Sequence, residues 1–530
     1  MDARAELWLK GGLSLLALAL VLWRELRPGR LAARQAGPAL ALMAAIAAGA
    51  YYNFGGFHGA GYVHHWEQFH YYLGSKYFPE LGYDGLYLAS VAAQRQTAPE
   101  LPPPPHLRDL ATNRVLSTAS LWQEIQAVER RFTPERWAAF AADHHHFLTA
   151  NRLEYLNRIR KDHGYNPSPA WTFVARLGVA WLPASGPNLA LLGWIDPLLL
   201  AVAFGYPFRT FGARVGCEAL ILFGLGYAWR FDWVGGAFLR QDWLAAFLVG
   251  ICMLRRQRHA GAGALFAYGA LVRIFPLAFL LGPAVVGLRD LLRRRSPRWA
   301  FRFAGGFLLA AVVGAGAGAL TGRGAAAWAE FARNTAQHRE TWLTNNVGLG
   351  NLLLYDRQTM ERRLVDWSLA EPWLVWQEVM NERRDERRAW IAAAAGLSLL
   401  LVAAAAWRSD PAEAAALGPA AAFAVGLLTC YYWVMLVAVA LRPPRWGVPA
   451  LLALNAGLYA VALATPSFEA IYGSMSWGLA LFFVAWTVAG WIGGRALRPA
   501  PTTEGEAVDE GRRGRPPRRP AVKTTRGVAY

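Results

Sequence analysis

The stretch PALALMAAIAAGAYY (Pro38–Tyr52) gives way, after a short glycine-rich link, to HHWEQFHYYLGSKYFPELGYDGLY (His64–Tyr87). The first segment is apolar and uncharged. The second sets three histidines, two glutamates, an aspartate and a lysine among closely spaced Phe, Tyr and Trp residues. Titratable and aromatic groups are thus concentrated where the chain leaves a hydrophobic run, which places them at a boundary between hydrocarbon and water.

Similar apolar runs recur along the chain. They are Leu7–Trp23, Leu189–Phe204, Val215–Trp229, Trp243–Leu254, Gly261–Val272, Phe275–Leu288 and Phe303–Leu320, then Ala389–Trp407, Ala414–Cys430, Val434–Leu441, Pro449–Leu463 and Trp477–Ile492. A bilayer crossing takes about 20 residues and at least about 17. The shorter runs must therefore borrow length from flanking aromatics or form broken helices, which membrane depth tolerates only inside protein or beside a wet cavity. The pattern predicts an all-α polytopic membrane protein with about 11–13 transmembrane helices, some of them short or broken.

Composition agrees. Of 530 residues, 55% are hydrophobic and 17% charged, the mean hydropathy is +0.20, and soluble domains carry about 25% charged residues. The net charge of +18 does not imply nucleic acid, because the arginines sit in short connectors between apolar runs, where they set membrane orientation. Cys217, Cys252 and Cys430 all fall inside apolar runs, without metal-ligand spacing, and read as small buried hydrophobes. Leu7–Trp23 lacks a small-residue cleavage site and is followed by Arg24, Arg27 and Arg30, so it reads as a retained span.

The basic connectors Arg24–Arg34, Arg255–Arg258 and Arg289–Arg302 and the tail Arg495–Arg526 are expected on the cytoplasmic side. Placing all four there requires tight hairpins near VRIFP (Val272–Pro276) and CYYW (Cys430–Trp433). Six regions follow: N-terminal spans (1–53), a first extracytoplasmic loop (54–187), a central membrane core (188–321), a second extracytoplasmic loop (322–388), C-terminal spans (389–497) and a disordered basic cytoplasmic tail (498–530). In the first loop, PELPPPPH (Pro99–His106) reads as an extended spacer. Beyond it, Leu121–Arg160 has apolar residues at helical spacing, the pattern of amphipathic helices at the membrane surface.

Candidate chemistry collects on the side opposite the arginines. If His64–Phe78 is helical, Glu67 shares a face with His64, His70 and Tyr71. A carboxylate there is raised by desolvation, lowered by a nearby imidazolium, and suited to general-base work on an alcohol. An interfacial aromatic belt with solvated His and Glu is the plainer alternative. His338, Asn345 and Asn346 fall on the same side, and an Asn pair before Gly-Leu-Gly suits a loop that hydrogen-bonds a polar ligand or simply turns. Arg273 interrupts an apolar hairpin before Phe275-Pro276, and GGAFLRQDW supplies Arg240 and Asp242. Ionisable residues at span ends are functional candidates, and either arginine suits a phosphate-binding role, although snorkelling or an Arg–Asp pair explains them too. Consecutive helical residues diverge, so Asp143-His144-His145-His146 reads as solvated histidines rather than a metal set.

EQFHYYLGSKYFPELGYDGLY (Glu67–Tyr87) resembles the acidic motif of the glycosyltransferase-C superfamily. It is most similar to that of the bacterial polyprenyl-phosphate-mannose-dependent mannosyltransferase branch. VRIFP resembles that branch's Lys-x-x-Pro helix break, and TNNVGLGNLLL (Thr344–Leu354) its Asn-rich segment before a Gly/Leu helix. Glu67 stands where the family usually has aspartate, Arg273 where it often has lysine, and one more span precedes the core. The resemblance implies sugar transfer from a polyprenyl-phosphate donor to a lipid or glycan acceptor, with inversion, on the extracytoplasmic face of a bacterial-type inner membrane. The expected roles are Glu67 as base, with Asp84 the next candidate, and His70 or His338 tuning it. Arg273 and Arg240 hold the donor phosphate, with Asp242 and Tyr71 beside it, and Asn345 and Asn346 bind sugar hydroxyls. The phosphate leaves directly from the sugar, so no metal or cofactor is required. A transporter or flippase of a polar or lipid-linked solute is the alternative, since broken helices and intramembrane charges serve that role as well.

Overall fold

The computed structural model describes residues 2–27, 30–59, 61–356 and 360–493. The chain is an all-α polytopic membrane protein. Among the described residues, seven helices are long and apolar enough to cross a bilayer: Arg4–Leu26, Gly186–Phe211, Phe275–Leu292, Arg298–Ala319, Arg388–Trp407, Gly447–Ala464 and Phe468–Gly493. Four shorter apolar helices, Ala36–Tyr51, His259–Val272, Pro411–Val425 and Cys430–Leu441, accompany them. The runs expected around Val215–Trp229 and Trp243–Leu254 form the helices Ala213–Leu225 and Asp242–Arg255. Both are buried on nearly every face, as befits helices apolar all round.

Packing and lipid exposure divide the outer helices. Arg298–Ala319 turns Leu308, Leu309, Val312 and Val313 outward, while its other side lies close against His259–Val272. A Cβ on Gly306 would stand 2.0 Å from the Ala260 carbonyl oxygen, so only glycine permits that approach.

The ends of the bundle differ in character. At one end Arg214 pairs with Glu25, Arg255 with Asp410 at 2.7 Å, and Arg408 donates to the Trp491 carbonyl. Arg289 donates to the Trp407 and Ser409 carbonyls there, satisfying the free end of the helix Arg388–Trp407. The connectors carrying Arg255 and Arg289 therefore both meet the turn at 407–410. The tail 498–530, with the disorder expected of it, lies outside the described residues.

The other end carries a helical head built from 54–187, continuous with the bundle through one hydrophobic core. The helices Trp122–Val128, Pro134–Ala150 and Leu153–Ile159 appear where the apolar spacing predicted them. They bury Ile125, Phe140, Phe147 and Leu156 in that core. Two features were not anticipated. His106–Asp109 pairs antiparallel with Arg114–Ser117 directly after the proline stretch, and Asn346–Val347 pairs with Leu428–Thr429.

His144 is fully buried rather than solvated: its Nε2 lies 2.9 Å from Ser90 Oγ and accepts from Arg160. Asp143 is buried beside it, 2.7 Å from Lys76 Nζ, and accepts from the Tyr72 and Tyr77 hydroxyls. Asp143 thus staples the helix Pro134–Ala150 to the helical stretch after Glu67, and His144 ties it to the helix Leu86–Thr97, both structural tasks.

Candidate functional site

The stretch expected to be one helix from His64 to Phe78 is helical but irregular. A short α-helix, His65–Gln68, runs into a wide π-turn, Phe69–Leu73, before the chain resumes an α-helical turn. Such insertions re-aim side chains and recur at functional sites. Neither neighbouring imidazole reaches the Glu67 carboxylate. His64 Nδ1 accepts from the Glu67 backbone N–H as a helix cap, and its Nε2 donates to the Asp232 carbonyl. His70 donates to the Trp66 carbonyl and accepts from the Tyr87 hydroxyl at 2.7 Å.

The partner of Glu67 is Arg240. Arg240 Nε lies 2.7 Å from Glu67 Oε2, with the side chains 2% and 14% exposed. The two atoms are out of line for a hydrogen bond, and both are buried without a hydrogen-bond partner. Arg240 also donates to the Tyr71 hydroxyl and faces the rings of Tyr71 at 4.2 Å and Tyr431 at 5.5 Å. Snorkelling is therefore not its state. Burial raises the Glu67 carboxyl above its ordinary value; Arg240 and Arg273 oppose the shift and Asp162 adds to it.

The loop that delivers Arg240 is held from several sides. Gly236 adopts φ +73, and a Cβ there would stand 1.8 Å from the Tyr62 carbonyl oxygen. Its own carbonyl accepts from the His64 backbone N–H and from Gln68. Leu239 takes φ +52, a conformation costly for a branched side chain by about 1–3 kcal/mol. Asp196, buried in the helix Ile195–Phe211, accepts the backbone N–H groups of both Arg240 and Gln241. Asp196 was passed over in the sequence, although a carboxylate inside the run Leu189–Phe204 is a signal by itself.

Arg273 is buried, at 8% exposure, between the helix His259–Val272 and the 3₁₀ segment Phe275–Leu280. Its Nη1 donates to the Val272 carbonyl, while Nε and Nη2 have no hydrogen-bond partner. The guanidinium lies 5.9 Å from the Trp171 ring. Asp242 does not pair with Arg240. It accepts from the Trp243 backbone and from the Tyr268 hydroxyl at 2.8 Å, tying its helix to His259–Val272. The Asn345–Asn346 segment is a β-ribbon edge rather than a free turn: Asn346 pairs with Thr429, and the Asn345 carbonyl accepts from the Cys430 backbone. This brings it beside Tyr431 and Tyr432, whose rings lie 4.6 Å apart.

His70 and His338 belong to a second cluster. Trp66, adjacent to Glu67, donates to Asp162 at 2.6 Å. His338 donates to Asn166 at 2.9 Å, and its ring lies 5.7 Å from that of His163. Burial, with the Arg108 charge nearby, pushes His338 down to about 4 and His163 to about 3. Burial works to raise Asp162, but His70, His163 and the Trp66 indole outweigh it and hold the carboxyl low. Asp84 forms an exposed pair with Arg131 at 3.0 Å.

The structure thus unites Glu67, Tyr71 and Arg240, sets Arg273, Asp242, Asn345 and Asn346 around them, and leaves His70 and His338 beside Asp162. The chain matches no family model, no curated protein and no solved structure.

Proposed function

We propose that this protein is an integral membrane glycosyltransferase of a bacterial-type inner membrane. It moves a sugar from a polyprenyl-phosphate donor to a lipid or glycan acceptor on the extracytoplasmic face. The observation that carries this reading is a buried carboxylate, Glu67, set against one engaged arginine, Arg240, with a second and unpaired arginine, Arg273, beside it. In the proposed reaction Glu67 takes the proton of the acceptor hydroxyl. The acceptor oxygen bonds to the anomeric carbon from the face opposite the phosphate, and the carbon–oxygen bond to phosphate breaks with its electron pair on the phosphate. Arg273 stabilises that departing charge, because guanidinium matches phosphate in a bidentate fork. A carboxyl held above its usual range is a stronger base than a solvated glutamate. Arg240 keeps Glu67 oriented and ionised, and the partly exposed Tyr71 and Tyr431 rings offer faces on which sugars stack.

The competing reading, a transporter or flippase of a polar or lipid-linked solute, draws on the irregular segments Phe275–Leu280 and Cys430–Leu441. One experiment separates the two. Purified protein is incubated with a panel of radiolabelled polyprenyl-phosphate sugars and membrane lipid extract. Labelled product is expected from the parent protein and a loss of about 10²–10⁴-fold in Glu67→Gln. If no donor is consumed, the transferase reading falls and transport takes its place.

A further inference from the structure

Arg230 precedes the short helix Phe231–Val234 and lies at the same end of the bundle as Arg240. Its guanidinium sits 4.5 Å from the Tyr227 ring centroid, and its Nε is buried with no hydrogen-bond partner. No carboxylate forms an ion pair with it among the described residues. Asp232 acts on it only through space, with its carboxylate directed to Asn53 at 3.3 Å. Trp233 stands next to it, and its indole Nε1 is likewise buried and unpartnered. The Trp233 ring lies 5.7 Å from Phe468 and 6.4 Å from Tyr431. Tyr431 is also a ring that Arg240 faces, at 5.5 Å.

A second group of arginine and aromatic rings, Arg230 with Tyr227 and Trp233, is therefore linked to the Glu67–Arg240 pair through Tyr431. Arg273 acts on Glu67 directly and lies 5.9 Å from the Trp171 ring, whereas Arg230 is connected to the pair through the Trp233 and Tyr431 rings. A cation–π contact is worth about 0.5–2 kcal/mol, far less than an ion pair needs to offset desolvation of a guanidinium. As a packing element Arg230 is a poor choice. As a fork of donors awaiting an oxyanion it is a good one.

We infer that Arg230 and Trp233 form the acceptor subsite of the Glu67 centre, and that the acceptor carries a phosphate-type oxyanion bound by Arg230. The acceptor role rests on the transferase reading, whereas the anion site does not. With donor phosphate on Arg273 and acceptor oxyanion on Arg230, the acceptor hydroxyl is brought to Glu67 between two cations. Their separate bonds keep the two negative groups apart.

The test uses the full chain in detergent, with Arg273→Ala as the background so that one arginine site remains. Decyl phosphate, decyl glucoside and inorganic phosphate are titrated by calorimetry. Decyl phosphate is expected to bind, Arg230→Ala to weaken it by about tenfold or more, and Arg230→Lys to restore part of the loss with an unchanged melting temperature. Decyl glucoside should be indifferent to both changes. Inorganic phosphate binding as well as decyl phosphate assigns a soluble phosphorylated acceptor; weaker binding assigns a lipid one. Decyl phosphate affinity unaltered by Arg230→Ala overturns the subsite. Once a donor is found, Arg230→Ala should raise the acceptor KM and leave the donor KM unchanged, and an unchanged acceptor KM equally overturns it. Arg230-dependent anion binding in a chain that consumes no lipid-phosphate sugar would leave the oxyanion site standing and remove the transferase reading alone.

Discussion

A double-mutant cycle on Glu67 and Arg240 separates what the pair does for the fold from what Glu67 does for the reaction. The arginine side chain is 2% exposed and the glutamate 14%. Glu67→Gln strands a buried guanidinium, and breaking a buried pair in this way costs about 3–5 kcal/mol. The lower end is expected, because Tyr71 and Tyr431 still face Arg240 and the Glu67 side reaches some solvent. Arg240→Gln strands the carboxyl instead, which escapes part of its penalty by taking up a proton. The double variant strands neither charge, so its loss should fall short of the sum of the singles by about 1–3 kcal/mol. Activity should behave differently: Glu67→Gln loses about 10²–10⁴-fold in rate, and the double variant stays inactive although its stability recovers. Reversible denaturation in mixed micelles measures the first quantity, and transfer of radiolabelled sugar the second. Additivity of the single stability losses to within about 0.5 kcal/mol would show that the pair is not coupled. Rate returning together with stability would show that Glu67 serves the fold alone.

Arg273→Ala should weaken donor binding about tenfold or more, with Arg273→Lys recovering part because the charge remains while the fork is lost; undiminished donor affinity would assign Arg273 to packing. Single-cysteine labelling tests orientation. A membrane-impermeant maleimide should reach His338→Cys in intact cells and Ser296→Cys only after permeabilisation, and the reverse pattern would place the Glu67 centre in the cytoplasm. Stability should fall on acidification. Between about pH 6.5 and pH 4 the unfolded chain protonates His163 and His338, whereas the folded chain, with values of about 3 and 4, does not. Proton uptake by the unfolded state lowers stability as pH drops through that window, and the full contribution is present above it. Melting temperatures at pH 7.5 and pH 5 measure the slope, which His338→Gln should flatten; an unchanged slope would contradict the burial of this imidazole.

The fold was legible because its two strongest signals are local. Apolar run length announces the membrane helices, and arginine clusters mark the connectors between them, whereas the meeting of Arg255 with Asp410 and of Arg289 with Ser409 is a tertiary fact. The site was legible in part. Glu67, Tyr71, Arg240 and Arg273 stand out as polar groups at the ends of apolar runs, but which of them touch is a tertiary fact. The expectation that His70 faces Glu67 used the spacing of a regular helix, and the π-turn at Phe69–Leu73 breaks that spacing just where it matters. Similarly, nothing local marks Asn345 and Asn346 as ribbon edges, since their partners Cys430 and Thr429 lie far along the chain. Asp196 was visible as an intramembrane acid, yet its partners are backbone N–H groups, which carry no side-chain signature.

The distribution of irregular backbone argues independently for where function resides. The π-turn holds Tyr71, the left-handed Leu239 immediately precedes Arg240, a 3₁₀ segment follows Arg273, and another begins at Cys430 beside Tyr431. Each of these conformations is less favourable than the α-helix next to it and persists only where surrounding contacts over-determine it. At the opposite end of the bundle, Arg289 bonds the carbonyls at and just past the end of Arg388–Trp407, an ordinary way to finish a helix. An apolar bundle needing only to pack would have no use for strained turns around a buried Glu67–Arg240 ion pair and a buried Arg273 with no ion-pair partner among the described residues. Their convergence next to the Tyr71 and Tyr431 rings is what the proposed site for a lipid-borne, negatively charged substrate requires.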